Sequence, residues 1–146
     1  MKRRTLLQTL PAVTLLPSAL WAAAQQNNAN PSQGSTAVYE LRVYHAAPGK
    51  LSDLLARFRD HTVKLFDRHG IHSVAYWTPV DEPQKNDTLL YILRHPSREA
   101  ATANWKSFQD DPEWKSVRDK SEANGKLVEK VDSTFLALTD FSPPLR

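Results

Sequence analysis

The chain has 146 residues, of which 40% are hydrophobic and 24% are charged, a composition that fits one small globular domain with additional segments. Its formal net charge of +3 depends on Lys2, Arg3 and Arg4: without these three, the 19 Lys and Arg become 16 and balance the 16 Asp and Glu. The rest of the chain therefore lacks the clustered positive charge that nucleic-acid binding needs, and the absence of Cys excludes disulfides, thiol catalysis and cysteine metal sites.

The first 24 residues have the three parts of an export signal. The positively charged start MKRR precedes the apolar stretch TLLQTLPAVTLLPSALW, and three alanines then form a small-residue cleavage site. Prolines and polar residues interrupt the apolar stretch too often for a membrane-spanning helix, so we expect no stable membrane insertion of the mature chain. The pair Arg3 and Arg4 favours the twin-arginine route, with general secretion as the alternative. We predict a signal peptide over 1–24 and a mature protein in the periplasm or outside the cell.

A polar segment follows the predicted signal. Its sequence, QQNNANPSQGST, has almost no apolar side chains and cannot bury a core. We predict a disordered linker over 25–37 and a folded domain over 38–146, which is long enough to form one core.

The folded domain begins with an alternating stretch, Val38 to His45, that is rich in Val and Tyr and predicts a strand. A Pro-Gly turn follows it. Apolar residues between Leu51 and Phe66 then recur at helical spacing and predict an amphipathic helix. We expect this helix to end at Gly70, because glycine tolerates the positive φ of a helix terminus.

Three further strands and a second helical region complete the domain. His72–Thr78 and Leu89–Arg94 predict strands on either side of a polar loop, and Ser133–Thr139 predicts the fourth strand. Ser97 is the expected N-cap of the second helix, and Asp111 restarts it before a proline at the first helical position. The order β-α-β-β-α-β predicts a ferredoxin-like α+β fold, in which an antiparallel four-stranded sheet carries both helices on one face.

Both faces of this predicted sheet carry apolar side chains. Tyr91 and Leu93 of the third strand point to one face, and Leu90 and Ile92 point to the other. A sheet with one solvated face would alternate between apolar and polar residues, and four uncovered apolar strands exceed the patch that a soluble monomer exposes. Since no further sequence remains to cover the second face, we predict a homodimer in which two sheets close into a shared barrel.

Glu40 and Arg42 place two charges on one face of the first strand. If this face lines the shared interior, both charges need partners, because an unpaired buried charge is costly. Three interpretations stay open. The two residues pair with each other or across the dimer, they hold a polar or acidic group of a ligand, or they lie exposed at the edge of the sheet.

The sequence resembles the NIPSNAP family through a series of motifs in order. These are YELRVY with PGKL, then RHG, then VAYW, then HPSREAATANWKSFQDDPEW, and finally LALTDFSP, and together they span nearly all of 39–143. The resemblance implies a dimeric α+β barrel fold. That superfamily includes cofactor-free monooxygenases, haem-degrading enzymes, lactone isomerases and plain binding proteins, while NIPSNAP proteins themselves lack an agreed chemistry.

Histidine is the main candidate for chemistry. His61 borders the apolar stripe of the first helix, so it either points beneath the sheet towards aromatic side chains or is an amphipathic boundary residue. The spacing of the histidines does not fit a metal site, and we predict no metal. Most aromatic residues fit the core by their spacing. The residues that we expect to contact a ligand are Glu40, Arg42, Tyr44, His61, Tyr76, Trp77, Tyr91 and Trp105.

The sequence therefore predicts an exported, homodimeric module without a cofactor, which binds a small apolar ligand or interacts with another molecule. The alternatives are a cofactor-free monooxygenase or isomerase that uses His61, and a haem-binding protein.

Overall fold

A computed structural model describes residues 37–145 of the chain. The predicted signal peptide and the predicted linker before residue 37 lie outside the described residues. The elements are, in chain order, β1 (Val38–Ala46), α1 (Leu51–Arg57), a π-helical turn (Phe58–Thr62), α2 (Val63–Arg68), β2 (His72–Trp77), a short 3-10 turn (Gln84–Asn86), β3 (Thr88–His95), α3 (Arg98–Asp110), α4 (Pro112–Ser121) and β4 (Val128–Leu136).

The four strands form one antiparallel sheet with the order β2-β3-β1-β4. The predicted ferredoxin-like α+β fold is therefore confirmed. The helices pack on one face of the sheet, where Phe58 and Phe66 contact the ring of Tyr91 and Trp105 of α3 bonds to Glu40 of β1. Within the described part of the chain, every helix is too short or too polar to cross a lipid bilayer.

The predicted helix boundaries rest on local signals that the structure confirms. The Ser97 side chain accepts a hydrogen bond from the backbone N–H of Ala100 at 3.1 Å, and Asp111 accepts one from the N–H of Glu113 at 2.7 Å. Both bonds satisfy N–H groups that a helix start leaves without an intrahelical partner. Gly70 has a φ of 70°, which allows the chain to leave α2 and enter β2.

The first helical region is interrupted by the π-helical turn, which the sequence did not predict. Phe58 and Thr62 are four residues apart in this turn, and both side chains are buried, whereas His61 is exposed. The Thr62 hydroxyl donates a hydrogen bond to the carbonyl oxygen of Arg57 at 3.2 Å. The π-helical turn therefore directs the side chain of Thr62, and not that of His61, towards the core.

The fourth strand begins and ends earlier than predicted. It covers Val128–Leu136, whereas the sequence favoured Ser133–Thr139. β4 is an edge strand that pairs with β1 alone, and most of its side chains are exposed. Such a strand does not need an alternating apolar pattern, so the prediction followed the apolar residues at its end instead.

The two faces of the sheet differ in how they are covered. On the helix side, Tyr91 and Leu93 are fully buried. On the outer face, Leu41 and Ile92 are partly buried and Trp77 is 48% exposed, which confirms that both faces carry apolar side chains. The core beneath the helices consists of Ala46, Leu54, Phe58, Leu65, Phe66, Ile71, Leu89, Tyr91, Leu93, Phe108 and Leu127.

The C-terminal segment after β4 lies at one end of the outer face. Its residues Leu138 and Leu145 surround a cavity together with Tyr39, which points to the outer face and is only 9% exposed. The expectation that no sequence remained to cover this face is therefore wrong at this end. The segment shields the Tyr39 end and leaves the Trp77 end open.

Candidate functional site: a buried carboxylate and its donors

Glu40 lies on β1 with its side chain towards the helices and is 1% exposed. One carboxylate oxygen accepts hydrogen bonds from Arg42 Nη1 at 2.8 Å and from Ser133 Oγ at 2.7 Å. The other accepts bonds from Trp105 Nε1 at 2.7 Å and from His95 Nε2 at 3.1 Å. Donors from three strands and one helix thus converge on a single buried carboxylate.

These bonds determine the charge of Glu40. Burial by itself raises the pKa of this carboxyl, but hydrogen bonds from His95, Trp105, Ser133 and Arg42 outweigh it and lower the pKa from 4.5 to about 2. A general base works best with a pKa near the operating pH, and Glu40 is far below it, with both oxygens already bonded. Glu40 therefore acts as an anchor for its donors and not as a proton acceptor.

Arg42 is held in place by this anchor. Its guanidinium carbon lies 4.4 Å from the ring centroid of Trp105, and its Nη2 donates to the Tyr44 hydroxyl at 3.4 Å. Burial lowers the pKa of Arg42, but the surrounding Tyr44, Tyr91 and Glu40 raise it above its ordinary value. The side chain as a whole is 17% exposed, so this fixed, charged residue is not completely enclosed by the protein.

Tyr91 forms the centre of an aromatic cluster next to Arg42. Its ring centroid lies 5.4 Å from that of Tyr44, 5.3 Å from that of Tyr76 and 5.3 Å from that of Phe58. Burial raises the pKa of Tyr91 well above its usual value, and the nearby Tyr44 hydroxyl raises it further without forming a hydrogen bond of ordinary geometry. Burial also raises the pKa of Tyr76. Both phenols therefore stay protonated at neutral pH and are able to donate hydrogen bonds.

Three buried polar atoms of this group have no hydrogen-bond partner among residues 37–145: Arg42 Nε, the Tyr91 hydroxyl and His95 Nδ1. Buried polar atoms are nearly always hydrogen-bonded, and an unpaired one is costly. Two of the three atoms, on Arg42 and Tyr91, are donors on the face that the aromatic cluster lines. The arrangement suits a bound molecule that supplies an acceptor.

The structure brings together six of the eight residues that the sequence predicts for a ligand site. They all lie on the helix side of the sheet. Glu40 and Arg42 do not line an interior shared by two sheets, because the even-numbered positions of β1 face the helices. Of the three interpretations, pairing of the two residues with each other is the one that the structure shows. The six residues are Glu40, Arg42, Tyr44, Tyr76, Tyr91 and Trp105.

The other two predicted residues lie elsewhere. Trp77 points to the outer face of the sheet. His61 is exposed and lines a cleft of about 440 Å³ between α1 and α4, next to Asp60 and Lys120. Of the two interpretations of His61, the boundary residue therefore agrees with the structure, and the residue that points beneath the sheet does not. The π-helical turn accounts for this, because it directs Thr62 inward.

His95 and Ser133 were not predicted as site residues, although both bond to Glu40. His95 lies two residues after Leu93 and four after Tyr91 along β3. The alternation of a strand therefore predicts that all three side chains point to the same face, the helix side of the sheet. Its approach to Glu40 depends on the β1–β3 register, which pairs Glu40 with Leu93, and on the packing around it. Among the described residues, no group of three His, Asp or Glu side chains is suited to hold a metal ion.

Comparison with known families decides the affiliation of the chain. The NIPSNAP family model matches residues 39–143. The chain belongs to the NIPSNAP family. No functionally curated protein matches this NIPSNAP domain.

Solved structures show the same fold at low sequence identity. An uncharacterized NIPSNAP-like domain protein from Burkholderia xenovorans is 18% identical, with a TM-score of 0.65 over 77% of this chain and 93% of that one. A NIPSNAP family protein of unknown function from Agrobacterium tumefaciens is 21% identical, with a TM-score of 0.64 over 75% and 94%. A monooxygenase from Streptomyces coelicolor, solved in complex with nanaomycin D, is 14% identical, with a TM-score of 0.52 over 73% and 91%.

Proposed function

We propose that this NIPSNAP domain binds a small, mainly apolar molecule that presents a neutral acceptor oxygen, such as a carbonyl, to Arg42. The observation that carries the proposal is the unpaired Arg42 Nε, buried beside the unpaired Tyr91 hydroxyl. Glu40 and Trp105 fix the guanidinium, so it is pre-organised to donate and loses little freedom when a ligand binds.

The charge balance of the cluster favours a neutral ligand over an anion. Glu40 already compensates the positive charge of Arg42 at 2.8 Å. A ligand carboxylate would add a second negative charge next to Glu40, and like charges in a buried site are costly. Tyr44, Tyr76 and Trp105 offer aromatic surface for the apolar body of the ligand.

Native mass spectrometry of the purified chain provides the first test. We expect one small molecule per chain, retained under gentle conditions and lost in Arg42→Gln. Arg59→Gln, which removes a guanidinium from the helix layer away from the cluster, is the matched control and should retain the molecule. A folded Arg42→Gln variant that keeps the full complement of ligand would contradict the proposed site.

A comparison of probes tests the chemistry of the ligand. Neutral aromatic ketones should bind about tenfold more tightly than hydrocarbons of the same shape, since each ketone gains a hydrogen bond from a charged donor. The advantage should disappear in Arg42→Gln, as measured by titration calorimetry. Equal binding of ketone and hydrocarbon to the wild-type chain would overturn the proposed role of Arg42.

We also propose that the protein acts as an exported homodimer. The N-terminal sequence supports export, and the partly exposed apolar side chains Leu41, Val43 and Ile92 support burial of the outer face by a second copy. Ile92→Lys should convert the dimer into a monomer in sedimentation experiments, whereas Gln109→Lys, on the exposed side of α3 in the helix layer, should not. N-terminal sequencing of secreted protein should begin near Gln25, and retention of Met1 would contradict export.

An enzymatic function is the second candidate, and His95 is the residue that favours it. Its Nε2 lies 3.1 Å from a Glu40 carboxylate oxygen, and its Nδ1 is buried without a hydrogen-bond partner among residues 37–145. A carboxylate that orients an imidazole in this way is a familiar arrangement for proton abstraction. A cofactor-free monooxygenase or isomerase of this fold would use His95 in the role that the sequence suggested for His61.

His95→Gln separates the two candidates once a ligand is known. Loss of turnover with unchanged ligand affinity would support the enzyme, and His61→Gln would serve as the control because His61 is exposed. Turnover that is unchanged in His95→Gln would exclude this residue as the base. For the haem alternative, an unchanged absorption band after addition of haemin would exclude binding.

A further inference from the structure

A second cavity lies on the opposite side of the sheet from Arg42, at the end that the C-terminal segment covers. Its volume is about 430 Å³, which is within the range of small-molecule sites. The strands contribute Tyr39, Arg94 and a short part of β2 from His72 to Val74, and the segment after β4 contributes Leu138, Pro144 and Leu145.

Arg94 and His72 are direct cross-strand partners at this end of the sheet. Neither side chain has a hydrogen bond or an ion pair with residues 37–145, unlike Arg42, Arg57 and Arg68, which all pair with carboxylates. Among the described residues, no Asp or Glu lines the cavity. Within residues 37–145 the guanidinium of Arg94 therefore has no counter-charge, and it lies beside the imidazole of His72.

The opposite wall of the cavity is apolar. Leu138, Pro144 and Leu145 face the strands, and Val74 and Tyr39 extend the apolar surface between them. A ligand that fills this space needs an anionic group at the Arg94 end and a hydrocarbon body under the C-terminal segment. Organic monocarboxylates with an apolar chain meet both requirements, whereas small inorganic anions meet only the first.

We infer that this cavity binds an amphipathic carboxylate, with its carboxylate on Arg94 and its apolar chain beneath Leu138 and Leu145. This site is distinct from the one proposed at Arg42. The two sites differ in charge, because Glu40 balances Arg42, whereas none of the described residues that line the cavity is acidic and balances Arg94. The outer-face site should accept anions that the helix-side site rejects.

Decanoate is a suitable probe, used with the purified full chain below the concentration at which it forms micelles. We expect saturable binding of one decanoate per chain in titration calorimetry. Arg94→Gln should weaken the binding about tenfold or more, since a charged hydrogen bond is lost. Decanol, which has the same chain without the charge, should bind the wild-type protein more weakly by a similar factor.

Three further variants locate the ligand. Leu145→Ser should weaken decanoate binding by removing part of the apolar wall, and acetate should show no saturable binding for the same reason. Arg59→Gln is the matched control for loss of an exposed guanidinium and should bind normally. Arg42→Gln should also bind decanoate normally, even if it loses the ligand of the helix-side site.

Several results would overturn the inference. These are absence of saturable decanoate binding, equal affinity for decanoate and decanol, or unchanged affinity in Arg94→Gln. Loss of decanoate binding in Arg42→Gln would place the anion on the helix side and would refute both the outer-face site and the expected preference of Arg42 for neutral ligands. Arg94 and Leu145 are exposed, so we expect both variants to fold, and their thermal midpoints check this.

Discussion

On the helix side of the sheet, Arg42 is bonded to Glu40 and covered by Trp105, whereas on the outer face Arg94 has no charged partner among the described residues. The same side chain thus has two different uses on two faces of one sheet. A guanidinium that a buried carboxylate neutralises becomes a rigid hydrogen-bond donor. One without a counter-charge attracts anions. Substitutions around Arg42 should therefore change the stability of the fold, whereas substitutions around Arg94 should change which ligand charge the protein binds.

The largest effect is expected from removal of the anchor itself. Glu40→Ala leaves Arg42 buried without its counter-ion, which typically costs about 3 to 5 kcal/mol. Urea unfolding should show this loss. Glu129→Ala, on the exposed part of β4, is the matched control and should change the free energy of unfolding by less than about 0.5 kcal/mol. Similar losses in the two variants would remove the distinction between anchored and exposed carboxylates.

The pH dependence of stability should reveal the charge of Glu40. Its pKa of about 2 in the folded chain is below the usual 4.5, so ionisation stabilises the fold above about pH 4.5, and this contribution is lost as the pH falls towards 2. The contribution is on the order of 3 kcal/mol. The difference in unfolding free energy between the wild type and Glu40→Gln should shrink over this range. A constant difference would mean that Glu40 is not ionised in the folded chain.

Trp105→Phe should have a smaller effect, because it keeps the ring over Arg42 and removes only the N–H that bonds to Glu40 at 2.7 Å. Hydrogen bonds to charged groups contribute about 1.5 to 3 kcal/mol. Trp77→Phe on the outer face is the control, since Trp77 is half exposed and has no such bond. Equal unfolding free energies for both variants would show that the indole N–H contributes nothing.

Tyr91→Phe should stabilise the ligand-free chain, by about 1 kcal/mol. The hydroxyl is buried without a partner among the described residues, and such a group is costly to bury. The same substitution should weaken ligand binding if the hydroxyl donates to the ligand. Tyr39→Phe, on the outer face, should leave both quantities unchanged. A destabilised ligand-free Tyr91→Phe variant would show that the hydroxyl already has a partner.

Local signals made much of the fold predictable. Ser97, Asp111 and Gly70 mark helix ends through bonds and backbone angles that involve only nearby residues, and the structure agrees with each of them. The fold class followed from the order of strands and helices along the chain. β4 was misplaced because an edge strand with exposed side chains carries no apolar pattern.

The site depended on information that the sequence does not contain locally. Alternation shows that Glu40 and Arg42 share a face, but both faces of this sheet are apolar, so it does not show which face the helices cover. The roles of His95 and Ser133 depend on register between strands that are distant in sequence. The orientation of His61 depended on a π-helical turn, which has no sequence signal here.

The bond from Ser133 to Glu40 ties the rim of the sheet to its interior. If β4 separates from β1, the buried carboxylate of Glu40 loses one of its donors. The free energy needed to detach this strand should therefore exceed the cost of breaking its backbone hydrogen bonds to β1 alone. Amide hydrogen exchange along β4 should consequently be slower than its solvent exposure suggests. A molecule that binds along the open edge of β4 should therefore also affect the position of the Arg42 guanidinium, because Ser133 and Arg42 both bond to Glu40.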